Sequence, residues 1–152
     1  MKVSIVIPSH NRYEQLKNTI EALRKQSHDN YEVMIVDDAS DDRTSTIDLP
    51  NHFRMVRNNK KMGLAETRNI GIANTDGDLI IFLDAEMLVY PDYIENHVKR
   101  HEKCENLVLT GAMYYFFITQ RAQKNHVLKR DFFYNLYIFF NWVNTNLFFV
   151  FT

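Results

Sequence analysis

The 152-residue chain has one cysteine, Cys104. A single thiol builds no internal disulfide framework, so the core must come from packing, and the count fits a reducing compartment. An excess of one charge is also missing, since 18 basic and 19 acidic side chains leave a net charge of −1. No global basic field is present, and no nucleic-acid partner is expected. Apolar runs are short. The first, Val3 to Ile7, ends at Pro8, too soon for the apolar segment of a signal peptide, so a cytoplasmic location is expected. Neither G-x-G-x-x-G nor G-x-x-x-x-G-K-S/T occurs, which argues against a dinucleotide dehydrogenase and a P-loop enzyme. His97 and His101 have a spacing that can bind zinc, but Val98 stands where an H-E-x-x-H glutamate would be. The pair reads as a surface pair. There is no internal repeat and no low-complexity linker.

What is present is an alternation of apolar runs and amphipathic segments. Val3 to Ile7, Val33 to Val36, Phe53 to Val56, Leu79 to Leu83 and Leu107 to Leu109 have the length and composition of strands. Between the first two, Tyr13 to Gln26 sets Leu16, Ile20 and Leu23 at helical spacing, with Asn11 as the expected N-cap and Glu14 three residues on. Leu64 to Asn74 and Asp92 to Lys103 predict two further helices, the second opened by Pro91. Strands alternating with helices predict βαβ units and a mostly parallel sheet.

Polar residues gather where these strands end. Pro8 to Arg12 follow the first strand, Asp37 to Asp42 the second, and Asp84 and Glu86 the fourth. In a parallel sheet the three loops share the carboxyl edge, where open α/β sheets bind ligands. The D-x-E pair after a buried apolar run suits Mg²⁺ or Mn²⁺, hard cations that take one or two carboxylates and leave other positions to water and phosphate. A pattern this short also suits a turn cap beside a solvated acid, and the Asp38 to Asp42 run also suits a solvated acidic turn.

Four blocks then occur in order: Val3 to Arg12 with Pro8-Ser9-His10-Asn11-Arg12; Val36-Asp37-Asp38-Ala39-Ser40 through Thr44; Asn59 with Gly63 to Gly71; and Gly77-Asp78 leading to Asp84-Ala85-Glu86. Together they resemble the nucleotide-binding half of a family 2 glycosyltransferase over about residues 3–112. The resemblance implies the GT-A fold, a Rossmann-like α/β three-layer sandwich around a mostly parallel sheet. It implies a nucleotide-sugar-binding subdomain over residues 1–112 and the start of an aromatic-rich acceptor side over 113–152. Nucleotide contacts are expected from Pro8, His10, Arg12, Arg68, Asn69 and Asp84, with Asp38 accepting from the base, typically uracil. Glu86 is the expected metal ligand with Asp84 beside it, for Mn²⁺ or Mg²⁺. Three positions depart from the family pattern: Ala39 replaces a glycine, Thr67 replaces the alanine of an Ala-Arg-Asn element, and Glu86 replaces the final aspartate of D-x-D.

Inverting sugar transfer also needs a carboxylate base at the acceptor hydroxyl. After Glu105 the only acid is Asp131, flanked by Lys129 and Arg130, whose charges would depress its basicity. The expectation is therefore a chain truncated before its acceptor-binding part, with the base beyond Thr152. Phe132 to Phe151 is dense in aromatics but interrupted by Asn135, Asn141, Asn144 and Asn146, so it lacks the ~20-residue run of a membrane helix. Packing against other parts of the protein is the first expectation for this tail. Peripheral membrane contact, aided by Arg121, Lys124, Lys129 and Arg130, is the second, and self-association through an exposed apolar patch is a third. The function expected is metal-dependent transfer of a sugar, UDP-linked, to a glycan or lipid-linked acceptor in cell-surface polysaccharide synthesis. The alternative is a nucleotide-sugar-binding module without turnover, and a nucleotidyltransferase ranks third for want of a glycine-rich first loop.

Overall fold

Four strands align in parallel in the order β3-β2-β1-β4, where β1 is Val3–Ser9, β2 Tyr31–Asp37, β3 Phe53–Arg57 and β4 Leu79–Phe82. The structure, a computed structural model, describes residues 1–104 and 106–111, and the unit treated below is Met1–Leu107. Three helices follow β1, β3 and β4: α1 Tyr13–Leu23, α2 Leu64–Ala73 and α3 Tyr93–His101. The expected α/β three-layer arrangement around a parallel sheet is what forms. Among the described residues no helix is long and apolar enough to cross a membrane.

Strand parity explains the layers. Val3, Ile5 and Ile7 of β1, Val33 and Ile35 of β2, Phe53 and Ile81 join Leu16, Ile20 and Leu23 of α1 and Ile94 and Val98 of α3 in one buried cluster. Each such side chain contributes roughly 1.5–3 kcal/mol when removed from water. The other face meets α2, where Gly71 lies against Val6 so closely that an added Cβ would sit 2.2 Å from Val6 Cγ1. Pro8 is tolerated in a central strand because its missing N–H points to the β4 side, and the β1–β4 ladder has already ended at Val6.

Three sequence expectations are corrected at this level. Asn11 is not the N-cap of α1; Arg12 holds that position without a side-chain cap, and the Tyr13 amide donates instead to Asp42 Oδ2 at 3.0 Å from another loop. Helix α1 ends at Leu23 rather than Gln26. The Gln26 amide serves both neighbouring helix ends, donating to Ala22 O at 3.3 Å and accepting from Ile94 N at 3.1 Å. Leu107 to Leu109 forms no strand among the described residues. The Leu107 carbonyl, which a ladder would have used, faces His101 Nε2 at 3.2 Å. Asp131 and the aromatic tail lie outside the described residues.

Gly71→Ala should destabilise the protein. Alanine gains about 1 kcal/mol of helix propensity over glycine, but overlap with Val6 in a packed layer costs typically 1–3 kcal/mol. Urea denaturation is expected to give a net loss of up to about 2 kcal/mol. A variant at least as stable as wild type would refute the close approach.

Candidate functional site

Every strand of the sheet runs toward one edge, and the loops leaving β1, β2 and β3 are cross-linked there. The Asp38 amide donates to Ser9 O at 2.8 Å and the Asn58 amide to Asp37 O at 2.8 Å. Asn11 sits at φ +54°, a left-handed conformation that asparagine tolerates. Its amide donates to Ser40 Oγ at 2.9 Å, and its Oδ1 accepts from the Asp41 amide at 2.7 Å. His10 Nδ1 meets the Asp38 carbonyl at 2.8 Å. A carbonyl only accepts, so that nitrogen carries the proton and the ring is oriented by the β2 loop.

The β2 loop is held by buried acids. Asp37 is fully buried and accepts from Arg57 Nη1 at 2.7 Å, from the Ser40 amide at 3.1 Å and from Ser40 Oγ. Asp38 is 4% exposed and accepts from Asn58 Nδ2 at 2.8 Å and from the amides of Met62 and Gly63 at 2.7 and 2.9 Å. Its carboxylate therefore organises the loop from Asn58 to Gly63 that leads into α2. A hydrogen bond to a nucleotide base would have to share this crowded carboxylate. Ala39 takes φ +56°, so the turn keeps a left-handed conformation without the glycine common in the family.

The D-x-E segment is placed by its middle residue. Ala85 is buried in the cluster under α1, and its carbonyl accepts from Thr19 Oγ1 at 3.0 Å. The Met87 amide closes a turn onto Asp84 O at 3.1 Å. Anchoring Ala85 inward leaves Asp84 and Glu86 on the outside, with side chains 53% and 52% exposed. Each faces an arginine. Arg12 Nε lies 3.0 Å from Glu86 Oε2, and Arg68 Nη2 lies 3.5 Å from Asp84 Oδ1, with the Arg68 guanidinium 5.3 Å over the Phe82 ring.

The expected nucleotide residues thus fall at the carboxyl edge of the sheet: Pro8 near the end of β1, His10 and Arg12 after it, Asp38 after β2, Arg68 on α2, and Asp84 after β4. Asn69 is exposed on α2. The sequence placed Ser9, Asp37 and Ser40 among the strand-end polar residues without a role for each, and did not single out Thr19 or Asn58. Ser9 Oγ and Arg68 Nε are buried without a hydrogen-bond partner among the described residues, and both belong to this edge. For a cation, the donors at hand are two exposed hard carboxylates. No group of three or more His, Cys, Asp or Glu side chains that could hold a metal gathers among the described residues; two carboxylates are the donor number that Mg²⁺ takes where water and phosphate complete its shell.

Three acids that accept hydrogen bonds within the protein make stability pH-dependent. Burial alone would raise the pKa of Asp38, but hydrogen bonds from Asn58, the Met62 and Gly63 amides and Thr67 outweigh it and hold the carboxyl below its ordinary value. At Asp42 burial is likewise outweighed by Thr44 and the Tyr13 amide. At the opposite edge of the sheet, burial of Glu32 is outweighed by Ser4 Oγ, the Asp76 amide and Arg54, and its pKa is lowered to about 2. Folded values below unfolded values of about 4 mean that this stability is fully present above about pH 5 and is lost as pH falls toward 2. Urea titrations should show that loss between about pH 4.5 and 2. Asp38→Asn should shallow the acid limb and lower stability at neutral pH by about 1–3 kcal/mol, because an amide turned on donors leaves buried N–H groups unpaired. An unchanged limb would count against the assignment. Ala39→Gly should raise stability by roughly 0.5–1 kcal/mol, since the left-handed penalty of alanine exceeds the extra chain entropy of glycine; a loss would mean the turn is not strained.

Comparison with known proteins identifies the family and the fold. The profile described as Glycosyl transferase family 2 covers residues 4–152. The Bacillus subtilis (strain 168) protein named Uncharacterized glycosyltransferase YfnE is 35% identical over 136 residues, covering 83% of this chain and 34% of its own length. A Haemophilus influenzae glycosyltransferase is 34% identical over 107 residues, covering 69% of this chain and 36% of its own. The chain thus spans about a third of these relatives. Among solved structures, Staphylococcus aureus TarS 1–349 in complex with UDP-GlcNAc superposes with a TM-score of 0.62 at 21% identity, over 68% of this chain and 32% of that one. The mannosyltransferase PcManGT from Pyrobaculum calidifontis, in complex with GDP-Man and Mn²⁺, gives 0.60 at 23% identity, over 66% and 32%. These likenesses place the fold with the GT-A glycosyltransferases. With its profile match spanning nearly the whole sequence, the chain belongs to glycosyltransferase family 2.

Proposed function

We propose that this chain is the donor-binding portion of a metal-dependent glycosyltransferase. It would take a sugar from a nucleoside diphosphate sugar, UDP-linked, and pass it to a glycan or lipid-linked acceptor in cell-surface polysaccharide synthesis. The observation that carries the reading is the meeting of two exposed carboxylates, Asp84 and Glu86, with two arginines, Arg12 and Arg68, at the carboxyl edge of a family 2 fold. Proteins of similar fold have been solved with UDP-GlcNAc and with GDP-Man and Mn²⁺, which supports the donor class and the cation.

The chain's own groups divide the work. Arg12 and Arg68 offer planar guanidiniums suited to phosphate oxygens. His10, its proton fixed toward the Asp38 carbonyl, stands beside them at the end of β1. Asp38 holds the Asn58 to Gly63 loop that would border the base. Glu86 with Asp84 would hold Mn²⁺ or Mg²⁺, which when bound supplies Lewis-acid stabilisation of the charge on a departing diphosphate.

Calorimetry with UDP and Mn²⁺ tests the site. Wild type should bind the pair, and Glu86→Ala should weaken binding by about 10-fold or more, the scale on which metal-shell substitutions act. If both Asp38→Ala and Glu86→Ala leave UDP affinity unchanged, the site is misassigned. Hydrolysis of labelled UDP-sugar then separates an enzyme from a module that only binds.

A further inference from the structure

On the reading that this edge binds a nucleoside diphosphate and a divalent cation, we infer that Arg12 exchanges partners during binding, and that its bond to Glu86 sets the order in which charges can be paired. Arg12 Nε stands 3.0 Å from Glu86 Oε2, on the side chain expected to ligate the cation. A guanidinium at that distance occupies acceptor directions of the carboxylate and repels a second cation brought to it. The cation and Arg12 therefore compete for Glu86.

The geometry makes the exchange easy. Arg12 is 49% exposed and Glu86 52% exposed, and ion pairs this open to water are weak. Arg12 immediately precedes α1 and makes no side-chain cap with it, so its guanidinium is not tied to the helix end. The backbone beneath both side chains is fixed: the Leu16 amide donates to Arg12 O at 2.8 Å, and Thr19 Oγ1 holds Ala85 O at 3.0 Å. Arg68 differs. Its guanidinium lies over Phe82 and only 3.5 Å from Asp84, a looser pair on a better-supported cation. Arg12 is thus the mobile partner and Arg68 the stationary one.

The consequence is a four-way charge swap. A cation alone must displace Arg12 and leave it without a counter-ion. A diphosphate alone can draw Arg12 away but leaves Glu86 unpaired beside new negative charge. When both arrive, Glu86 meets the cation, Arg12 meets the diphosphate, and every charge is paired. Part of the cooperativity between the two ligands then resides in Arg12, and by linkage it acts equally in both directions.

The test uses the full chain and two ligands read separately: UDP by calorimetry in EDTA, and Mn²⁺ alone by the electron paramagnetic resonance signal of the free ion. Arg12→Gln should tighten Mn²⁺ binding in the absence of nucleotide by about 2- to 5-fold while weakening UDP. Glu86→Gln should strengthen metal-free UDP binding by a similar factor, and that gain should vanish in the Arg12→Gln background. Both positions are exposed, and circular dichroism checks that the variants fold. If Arg12→Gln leaves Mn²⁺ affinity unchanged, there is no competition and the exchange is wrong. A Glu86→Gln gain that persists without Arg12 would be simple loss of negative charge, and would also overturn it. Failure of wild type to bind either ligand would overturn the donor-site reading together with the exchange; binding with additive substitutions overturns the exchange alone.

Discussion

A carboxylate with no access to water, Asp37 at the end of β2, is the constraint from which the carboxyl edge is built. A buried carboxylate is costly unless donors surround it, and Asp37 has its donors from two directions. Arg57 comes from the end of β3, and Ser40 supplies both its amide and its hydroxyl from the turn that follows. Arg57 Nη2 also donates to Ser40 O at 2.7 Å, so the same guanidinium fixes the turn at two points. Once Ser40 is fixed, its hydroxyl oxygen accepts from the Asn11 amide and the β1 loop is fixed as well. The orientation of His10 and the starting point of Arg12 therefore trace back to Asp37, although neither touches it.

The other half of the edge is positioned by different physics. Ala85 enters the apolar cluster under α1 and is tied by Thr19, a side chain that reads as an ordinary polar residue in the middle of a helix. An inward methyl between two acids forces the acids outward. The carboxylates that would meet a ligand are thus held by their neighbours and not by their own hydrogen bonds, which leaves their lone pairs exchangeable. Asp37, Asp38 and Asp42 show the opposite pattern, with acceptor sites taken by donors of the protein.

The strands were legible because largely apolar runs of four or five residues bounded by polar loops suit few other structures, and the order of four blocks made the family legible. What could not be read were links between residues far apart in sequence. Asn11 looked like a local N-cap, but its side chain serves Asp41, and the cap of α1 comes from Asp42. Nothing within one turn of Tyr13 signals a partner twenty-nine residues away. Asp38 looked like a free ligand acid; its position at the mouth of the site was readable, its burial under Met62 and Gly63 was not. Leu107 to Leu109 had the composition of a strand, yet the Leu107 carbonyl is engaged by His101. Ala39 was suspect for lack of a glycine, and the loop's other bonds hold the left-handed turn regardless.

An edge this acidic should repel an anionic nucleotide, and internal pairing explains why it need not. Asp37 is neutralised by Arg57, and Asp38 and Asp42 face fixed amide and hydroxyl donors, so much of their field is cancelled within a few ångströms. Asp84 and Glu86 are the acids left exposed around the D-x-E turn, and each already has an arginine facing it. An approaching diphosphate would meet two guanidiniums loosely engaged with two carboxylates, a balanced surface that shifts to positive wherever a cation takes the acid. The acids that look interchangeable along the sequence therefore divide by their partners: those that accept from fixed amides and hydroxyls build the loops, and those that face only an exposed arginine keep the freedom to change partners.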